Sequence, residues 1–242
     1  MSEVQRNGIE FQVWARYALF TDPLTKVGGE KCSYHVPTYE ALKGVAKSIY
    51  WKPTLVWVID EVRGMKRIRT QTKGTKPLEF SGGNSLAIYT FLADVTYQVR
   101  AHFEWNEQRA ELTRDRIDGK HHAIARRMLE RGGRQDVFLG TRDCQAYVEP
   151  CAFGSGSGEL DSDGALAFGL MFHGFDYPDE CGGTELHARF WRPTMVNGVI
   201  RFLRPEACAD RKFVRDMTVK RFGVGDNLLE VGVEAARVEV SP

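Results

Sequence analysis

The sequence predicts an α+β fold whose elements follow the order β-α-β-β-α-β, with a β-rich part at the C-terminal end. Three observations support this order. Two amphipathic runs carry apolar residues at helical spacing, and several shorter runs alternate apolar and polar residues, as half-buried strands do. Glycine and proline clusters separate these runs and mark where each element ends.

The first strand and the first helix are predicted before residue 54. Apolar residues at alternate positions indicate a strand over 9–20, and the loop over 21–37 is rich in glycine and proline. Thr38 favours the N-cap position, and apolar residues then recur at helical spacing. This stripe consists of Leu42, Val45, Ala46, Ile49 and Tyr50. Because a residue that precedes proline avoids the helical region, Pro53 predicts that the helix ends near Trp51.

The two central strands and the second helix follow. Residues 54–62 are β-branched and apolar, Gly82-Gly83-Asn84 marks a turn, and residues 95–105 alternate as the clearest strand in the chain. After a charged connector over 107–118, an amphipathic run predicts a helix that Gly132-Gly133 ends. Its apolar positions are Ile124, Ala125, Met128 and Leu129.

The remainder of the chain is predicted to be rich in strands. Asn197-Gly198 is a typical two-residue hairpin, and the Gly/Ser/Asp-rich residues 153–164 indicate an exposed turn. The expected strands are 137–139, 144–148, 166–172, 186–191 and 199–203, with weak alternation from Val231 to Val240. We therefore expect one domain with inserted hairpins over 1–204 and a small β-rich part over 205–242.

This order of elements is that of the ferredoxin-like split βαβ arrangement, an antiparallel sheet with two helices on one face. RNA-binding modules of the RRM type share the plan, so the prediction is also RRM-like. The C-terminal strands either extend this sheet or form a small antiparallel sheet of their own.

Composition limits the possible functions. The net charge is only +1, so affinity for nucleic acid must come from local patches. The five cysteines are scattered and form no C-x-x-C pair, which argues against a zinc knuckle or a disulfide framework. The longest apolar run, over 55–59, is too short to span a bilayer, and residues 1–8 form no apolar signal region. We expect a cytoplasmic protein that does not contact a membrane.

The stretch from Asp118 to His122 combines an ammonium, two imidazoles and a predicted helix N-terminus. Free N–H groups at a helix start favour an anion, Lys120 adds a positive charge, and His121 can move a proton near neutral pH. These groups suit RNA cleavage by the ribose 2′-hydroxyl. A solvated basic helix start is the alternative, and spacing does not decide between His121 and His122.

A run of six basic residues without an acid follows the second strand. Its members are Arg63, Lys66, Arg67, Arg69, Lys73 and Lys76. Such a run would follow several phosphates and make RNA binding sensitive to salt. A solvated extension of the strand explains it equally well, and weak binding of duplex DNA through the same patch is a further alternative.

Tyr50 and Trp51 at the end of the first helix are most simply explained as packing residues. The Tyr50 phenol could instead orient the 2′-hydroxyl, although its ordinary pKa of ~10 makes it a poor base. In a plain split βαβ fold the two helices run roughly parallel. Tyr50 would then lie ~15–20 Å from Lys120, unless the charged connector folds back over the first helix.

A metal-dependent nuclease is less favoured, because the acidic residues and the isolated histidines form no recognisable ligand motif. The glycine-rich residues 154–158 lack the Gly-Lys-Ser/Thr that ends a phosphate-binding loop of nucleotide hydrolases. We therefore expect neither a metal nor a cofactor.

Several motifs together resemble the CRISPR-associated family five, Dvulg subtype. They are Thr21 to Lys26, Gly28 to Lys31, Val36 to Tyr39, Ala41 to Gly44, Ser48 to Pro53, Gly82 to Asn84, Gly119 to His121, Phe138 to Gly140, His173 to Phe175 and Tyr177 to Asp179. The resemblance runs from about Phe11 to about Pro205.

The resemblance implies the type I-C CRISPR system and a metal-independent endoribonuclease. Such a subunit cuts precursor CRISPR RNA near the base of the repeat hairpin and leaves a 5′-hydroxyl and a 2′,3′-cyclic phosphate. It then holds the crRNA 5′ handle in the Cascade surveillance complex, beside the backbone and large subunits. The family's catalytic positions fall on Tyr50, Lys120 and His121.

We expect further RNA contacts from Lys26, Lys31, His122 and Arg134, in addition to the basic run. A non-catalytic subunit that caps the 5′ handle, while a separate enzyme cuts, is the main alternative.

Overall fold

The structure is a computed structural model that describes residues 6–27, 29–78 and 80–219. The strands of this part are β1 (Gly8–Ala18), β2 (Lys31–Cys32), β3 (Leu55–Gly64), β4 (Thr70–Thr75), β5 (Ala87–Trp105), β6 (Val137–Phe138), β7 (Gln145–Pro150), β8 (Ala165–Ala167), β9 (Met171–Asp176), β10 (Glu185–Trp191), β11 (Thr194–Val196), β12 (Val199–Arg201) and β13 (Asp210–Asp216). The helices are α1 (Pro23–Lys26), α2 (Tyr39–Ile49), α3 (Lys120–Glu130) and α4 (Pro178–Cys181), with 3₁₀ turns at Ala110–Asp115 and Pro205–Ala207.

The strands form two sheets. The larger has the order β6-β7-β1-β5-β3-β12-β11-β8, and β2 and β4 pair with the N-terminal half of β5. The smaller has the order β13-β10-β9. All these pairs are antiparallel except β2 with β5. The predicted α+β class, with antiparallel sheets and few helices, is thus confirmed.

Helix α2 forms where its apolar stripe predicted it. The Thr38 side chain accepts a hydrogen bond from the Ala41 N–H, which satisfies one of the free donors at the helix start. Leu42, Val45, Ala46 and Ile49 are buried, and the helix packs against β3 and β9. It ends at Ile49, so Tyr50 follows in extended conformation.

Helix α3 starts directly at Lys120. Gly119 precedes it with a φ of 71°, a left-handed conformation that glycine adopts without strain. At the other end, the N–H groups of Gly132 and Gly133 donate to the carbonyls of Leu129 and Met128, as predicted for a glycine stop. The buried face of α3 consists of His121, Ala125 and Leu129.

Strand β5 is longer than the alternation over 95–105 predicted. Its first part, from Ala87 to Leu92, pairs with β4 as a ribbon that carries the end of the basic run. β4 is largely exposed, so its residues need no regular alternation of apolar and polar types. The alternation of apolar and polar residues therefore appears only in the part of β5 that packs in the core.

The remaining differences are local. The loop over 21–37 contains the short α1 and β2, and the strand predicted over 166–172 is divided into β8 and β9 at Gly169, whose φ is 71°. Asn197 and Gly198 both have positive φ and connect β11 to β12, as the hairpin prediction required.

In the C-terminal region β13 joins β10, while the alternation at Val231 to Val240 lies outside the described residues. The domain boundary at residue 205 stays a prediction. None of the helices in the described ranges is long and apolar enough to cross a membrane.

Candidate active site

The end of α2 and the start of α3 meet at a hydrogen bond. The Tyr50 hydroxyl lies 2.8 Å from Nδ1 of His121, although 71 residues separate them in the chain. The separation of ~15–20 Å expected for a plain split βαβ fold does not apply here, and the alternative, a connector that folds back over the first helix, holds. Tyr50 has already left α2, with φ −157° and ψ 134°, and its phenol spans the remaining distance to the first turn of α3.

His121 is buried, with 1% of its surface exposed. Its Nε2 lies 2.8 Å from the Asp115 carbonyl oxygen, and the rings of Phe103 and Trp105 meet the imidazole edge-on. A carbonyl only accepts, so Nε2 carries the hydrogen of the neutral ring and Nδ1 accepts from Tyr50. The contacts thus define the tautomer and a directed chain from Tyr50 through His121 to Asp115.

Asp115, which the sequence interpretation missed, connects the other groups. Its carboxylate accepts hydrogen bonds from the Lys120 ammonium and from Oγ1 of Thr54, the latter at 2.7 Å. These two donors lower the pKa of the Asp115 carboxyl below its usual value. Asp115 ends the 3₁₀ turn of the charged connector, so the connector does fold back over the end of α2. Several acids lie in that connector, and no local pattern distinguished this one.

The Tyr50 phenol is held in its protonated form. Burial raises its pKa above the ordinary value, the negative charge of Asp115 raises it further, and the positive charge of Arg134 partly opposes this. A phenol with a raised pKa is a hydrogen-bond donor at neutral pH. Tyr50 is therefore suited to orienting His121 or a ribose hydroxyl, and not to removing a proton.

Lys120 and His122 have different surroundings from His121. The Lys120 ammonium is partly exposed beside Asp115, so it can reach solvent or a phosphate. The His122 ring turns to the other side, where its Nε2 lies 3.0 Å from the Gly8 carbonyl oxygen. The structure therefore brings Tyr50, Lys120 and His121 together and leaves His122 outside that group. Their catalytic roles stay predictions.

Arg63 does not belong to an exposed RNA-binding track. It is buried, and its five N–H donors bond to the Asp161 carboxylate, to Gln98, and to the carbonyls of Ser155 and Gly156. The guanidinium anchors the 153–164 segment to β3 and β5. Its prediction as an RNA contact is corrected, because every donor already has a protein partner.

The other predicted RNA contacts differ in how their charges are paired. Lys66, Arg67 and Arg69 form ion pairs with Asp94, Asp163 and Glu159, at 2.7, 3.2 and 3.8 Å. Lys26, Lys76 and Arg134 are exposed, while Lys31 and Lys73 lie over aromatic rings. Within the described ranges, no three His, Cys, Asp or Glu side chains cluster in a way that could hold a metal ion.

Comparison with known proteins places the chain in a family. The sequence model of the family described as CRISPR-associated protein (Cas_Cas5), in its Cas_Cas5d form, matches residues 8–203. The chain belongs to the Cas5 family. The resemblance to family five of the Dvulg subtype is thereby confirmed, and Tyr50, Asp115, Lys120 and His121 all lie in the matched part of this Cas5 chain.

Individual Cas5 relatives agree in length and shape. The chain is 30% identical over 224 residues to the CRISPR pre-crRNA endoribonuclease Cas5d of Mannheimia succiniciproducens. This match covers 80% of the present chain and 94% of the relative. It is 28% identical over 175 residues to the Thermus thermophilus protein of the same name, covering 68% and 73%. A crystal structure of a CRISPR-associated protein superposes with a TM-score of 0.73 at 33% identity, covering 85% and 96%.

Proposed function

We propose that this protein is an endoribonuclease that cleaves precursor CRISPR RNA within the repeat, near the base of its hairpin. The hydrogen bond between Tyr50 and His121 carries the proposal, because it joins two of the three positions expected to be catalytic directly beside the third, Lys120. The two curated relatives, both named CRISPR pre-crRNA endoribonuclease, support the substrate.

The reaction uses the RNA's own 2′-hydroxyl and no metal. The 2′-oxygen loses its proton and forms a bond to phosphorus, while the bond from phosphorus to the 5′-oxygen breaks and that oxygen takes up a proton. The products are a 2′,3′-cyclic phosphate and a 5′-hydroxyl. Lys120 stabilises the negative charge on the phosphoryl oxygens, His121 transfers a proton, and Tyr50 orients the reacting groups, each proton transfer contributing about 10²–10⁴-fold.

RNA must rearrange the site before it reacts. His121 is buried with both ring nitrogens bonded, and Asp115 neutralises Lys120. A phosphate that approaches Lys120 competes with the Asp115 carboxylate for the same ammonium. Displacement of Asp115 frees Lys120, and movement of the connector that carries Asp115 opens a path to His121.

We infer that the core is ferredoxin-like. The four strands that alternate with α2 and α3 lie in the order β7-β1-β5-β3, and each is antiparallel to its neighbours, as the split βαβ arrangement requires. In this arrangement both helices cover one face of the sheet, and the end of α2 lies against α3.

After cleavage, we propose, the protein stays on the crRNA 5′ handle in the cytoplasm as a subunit of the type I-C Cascade complex. Its partners there are the backbone and large subunits. Membership of the Cas5 family supports this assignment. Weak binding of duplex DNA stays a prediction. It is tested by measuring whether unrelated DNA competes with RNA for the protein at physiological salt.

The test is cleavage of labelled repeat-hairpin RNA by excess protein in EDTA. We expect cutting in EDTA, a 2′,3′-cyclic phosphate end, and binding without cutting when the sugar at the cleavage site is 2′-deoxy. Strict dependence on Mg²⁺, or cutting of the 2′-deoxy substrate, contradicts the proposed mechanism.

A non-catalytic subunit that caps the 5′ handle is the second candidate. The burial of His121 favours it, because the imidazole offers no free nitrogen to an RNA substrate in this structure. Tight binding of the repeat RNA without any cleavage under single-turnover conditions would establish this candidate over the endoribonuclease.

A further inference from the structure

Three aromatic rings form a row where the β4–β5 ribbon meets the end of β1. The centroid of Phe91 lies 5.9 Å from that of Tyr17 and 6.4 Å from that of Tyr89. Phe91 is buried, while Tyr17 and Tyr89 are half-buried on either side of it. We call Tyr17, Phe91 and Tyr89 the aromatic strip.

Cations lie on this aromatic strip. The Lys73 ammonium lies 3.3 Å from the centroid of Tyr17 and 5.6 Å from that of Phe91, and the Lys31 ammonium lies 4.8 Å from that of Tyr89. The Arg16 guanidinium carbon is 5.3 Å from the Tyr17 centroid. The positive charges of Lys73 and Arg16 lower the pKa of the Tyr17 phenol. Positive charge is therefore concentrated at these rings.

Within the part of the chain that the structure describes, no carboxylate forms an ion pair with these cations. Among the ion pairs of the described residues, none involves Arg16, Lys31 or Lys73, whereas Lys66, Arg67 and Arg69 earlier in the same region each face an acid. Elsewhere on β5, Arg100 forms ion pairs with Glu10 of β1 and Glu61 of β3. The aromatic strip thus combines two half-buried tyrosine rings with cations that have no acidic partner among the described residues.

We propose that the aromatic strip and its three cations bind a single-stranded segment of RNA. Phosphates bind Arg16, Lys31 and Lys73, and bases stack on Tyr17 and Tyr89. Single-strand sites combine positive charge that follows the backbone with aromatic rings that accept any base. This choice of ligand rests on the proposed function, since a protein that processes RNA meets single-stranded flanks of its substrate.

The site is remote from the candidate active site. Trp105, at the end of β5, contacts His121, while Tyr89 lies sixteen residues earlier on the same strand. An extended strand rises ~3.3 Å per residue, so the two sites lie up to ~55 Å apart along β5. The segment bound at the aromatic strip is therefore well removed from the cleaved phosphodiester.

The experiment measures binding of a fluorescent uridine oligomer of about fifteen nucleotides over a range of salt concentrations. The double variant Lys31→Gln/Lys73→Gln should reduce the slope of log K against log salt by about 1.4, since each lost contact to single-stranded RNA removes about 0.7. The control Arg192→Gln/Lys212→Gln removes the same charge from exposed positions on and next to the smaller sheet. It should leave the slope within about 0.3 of the unmodified protein.

Stacking is tested separately. Tyr17→Leu retains apolar packing but removes the ring, and should weaken binding by roughly 5- to 150-fold, while Tyr17→Phe keeps the ring and should bind within about 2-fold of the unmodified protein. An unchanged slope in the lysine variant, or equal binding by the Leu and Phe variants, refutes the site.

These outcomes do not depend on cleavage. If the unmodified protein binds the oligomer but never cuts repeat RNA, the endoribonuclease proposal fails and the RNA site stands. If repeat RNA is cut while the lysine variant binds the oligomer normally, the RNA site fails and the endoribonuclease proposal stands.

Discussion

His121 and His173 are both buried histidines, with 1% and 0% of their surfaces exposed. In each, Nε2 bonds to a backbone carbonyl, of Asp115 at 2.8 Å and of Leu203 at 2.9 Å. They differ at Nδ1. His121 meets the Tyr50 hydroxyl at 2.8 Å, whereas His173 meets the Arg189 guanidinium at 3.4 Å.

This difference decides what each imidazole can do. Burial and the nearby positive charge of Arg189 lower the pKa of His173 to about 4, so it stays neutral and packs on the Tyr39 ring. His121 instead has a phenol on one side and lies 3.4 Å from a carboxylate oxygen of Asp115. A phenol can exchange a proton with the imidazole and a guanidinium cannot. Burial alone therefore does not identify a structural histidine.

The largest expected effect belongs to His121→Ala, which should slow single-turnover cleavage of repeat RNA in EDTA by about 10²–10⁴-fold, because it removes the group that transfers a proton. The urea unfolding midpoint, measured in parallel, shows whether the variant is still stably folded under the conditions of the cleavage assay. A cleavage rate constant within tenfold of the unmodified protein contradicts the catalytic role of His121.

His173→Ala should act on stability and not on cleavage. It removes a ring stacked on Tyr39 at 4.3 Å and leaves the Leu203 carbonyl without its donor, so we expect a loss of about 3 kcal/mol in the free energy of unfolding. At saturating RNA and a temperature where the variant is folded, its cleavage rate constant should stay within about threefold. A hundredfold loss in its cleavage rate constant would mean that His173, and not only His121, acts in cleavage.

The free energy of unfolding should fall on acidification because of His173. Its folded pKa of about 4 lies below the ordinary value of ~6.5, so the unfolded chain binds the proton more readily and stability is lost as pH falls from ~6.5 towards ~4. Urea unfolding should show a loss of about 2 kcal/mol from this residue between pH 7 and pH 5. His173→Ala should show a correspondingly smaller loss; equal losses in the two proteins contradict this origin.

Each buried histidine also contacts a tyrosine, and removal of the two hydroxyls gives a matched pair. Tyr50→Phe removes the donor to Nδ1 of His121 and should slow cleavage roughly 10- to 100-fold. Tyr39→Phe removes a buried hydroxyl that has no hydrogen-bond partner within the described part of the chain, so cleavage and stability should both change little. Equal cleavage rates in the two variants would falsify the role of the Tyr50 hydroxyl.

The smallest effect is expected from Asp115→Asn. The change removes a negative charge that pairs with Lys120 and repels phosphate, so uncleavable 2′-deoxy repeat RNA should bind about 3- to 10-fold more tightly at low salt. Fluorescence anisotropy with Asp118→Asn, an exposed acid three residues further on, provides the control. Weaker binding by Asp115→Asn alone would mean that Asp115 positions Lys120 for RNA instead of competing with it.

Local sequence patterns predicted the two long helices well, because an N-cap, an apolar stripe and a glycine stop act within a few residues. They also indicated Lys120 and the pair His121 and His122, since the start of a helix and its cation are adjacent in the chain, but the choice of His121 came from the family resemblance. They failed for Arg63, which belongs to a basic run by sequence but is neutralised by Asp161, 98 residues away. They also did not reveal Asp115, one acid among several in a charged connector.

The sequence by itself determined the order of the main strands and helices, the family and the candidate catalytic residue types. Only the tertiary structure decided which of these groups meet. The chain leaves α2 at Tyr50 and the connector returns Asp115 to the same point, so three segments converge on one imidazole. Contacts of this kind depend on how distant segments pack, and short-range periodicity carries no information about that distance.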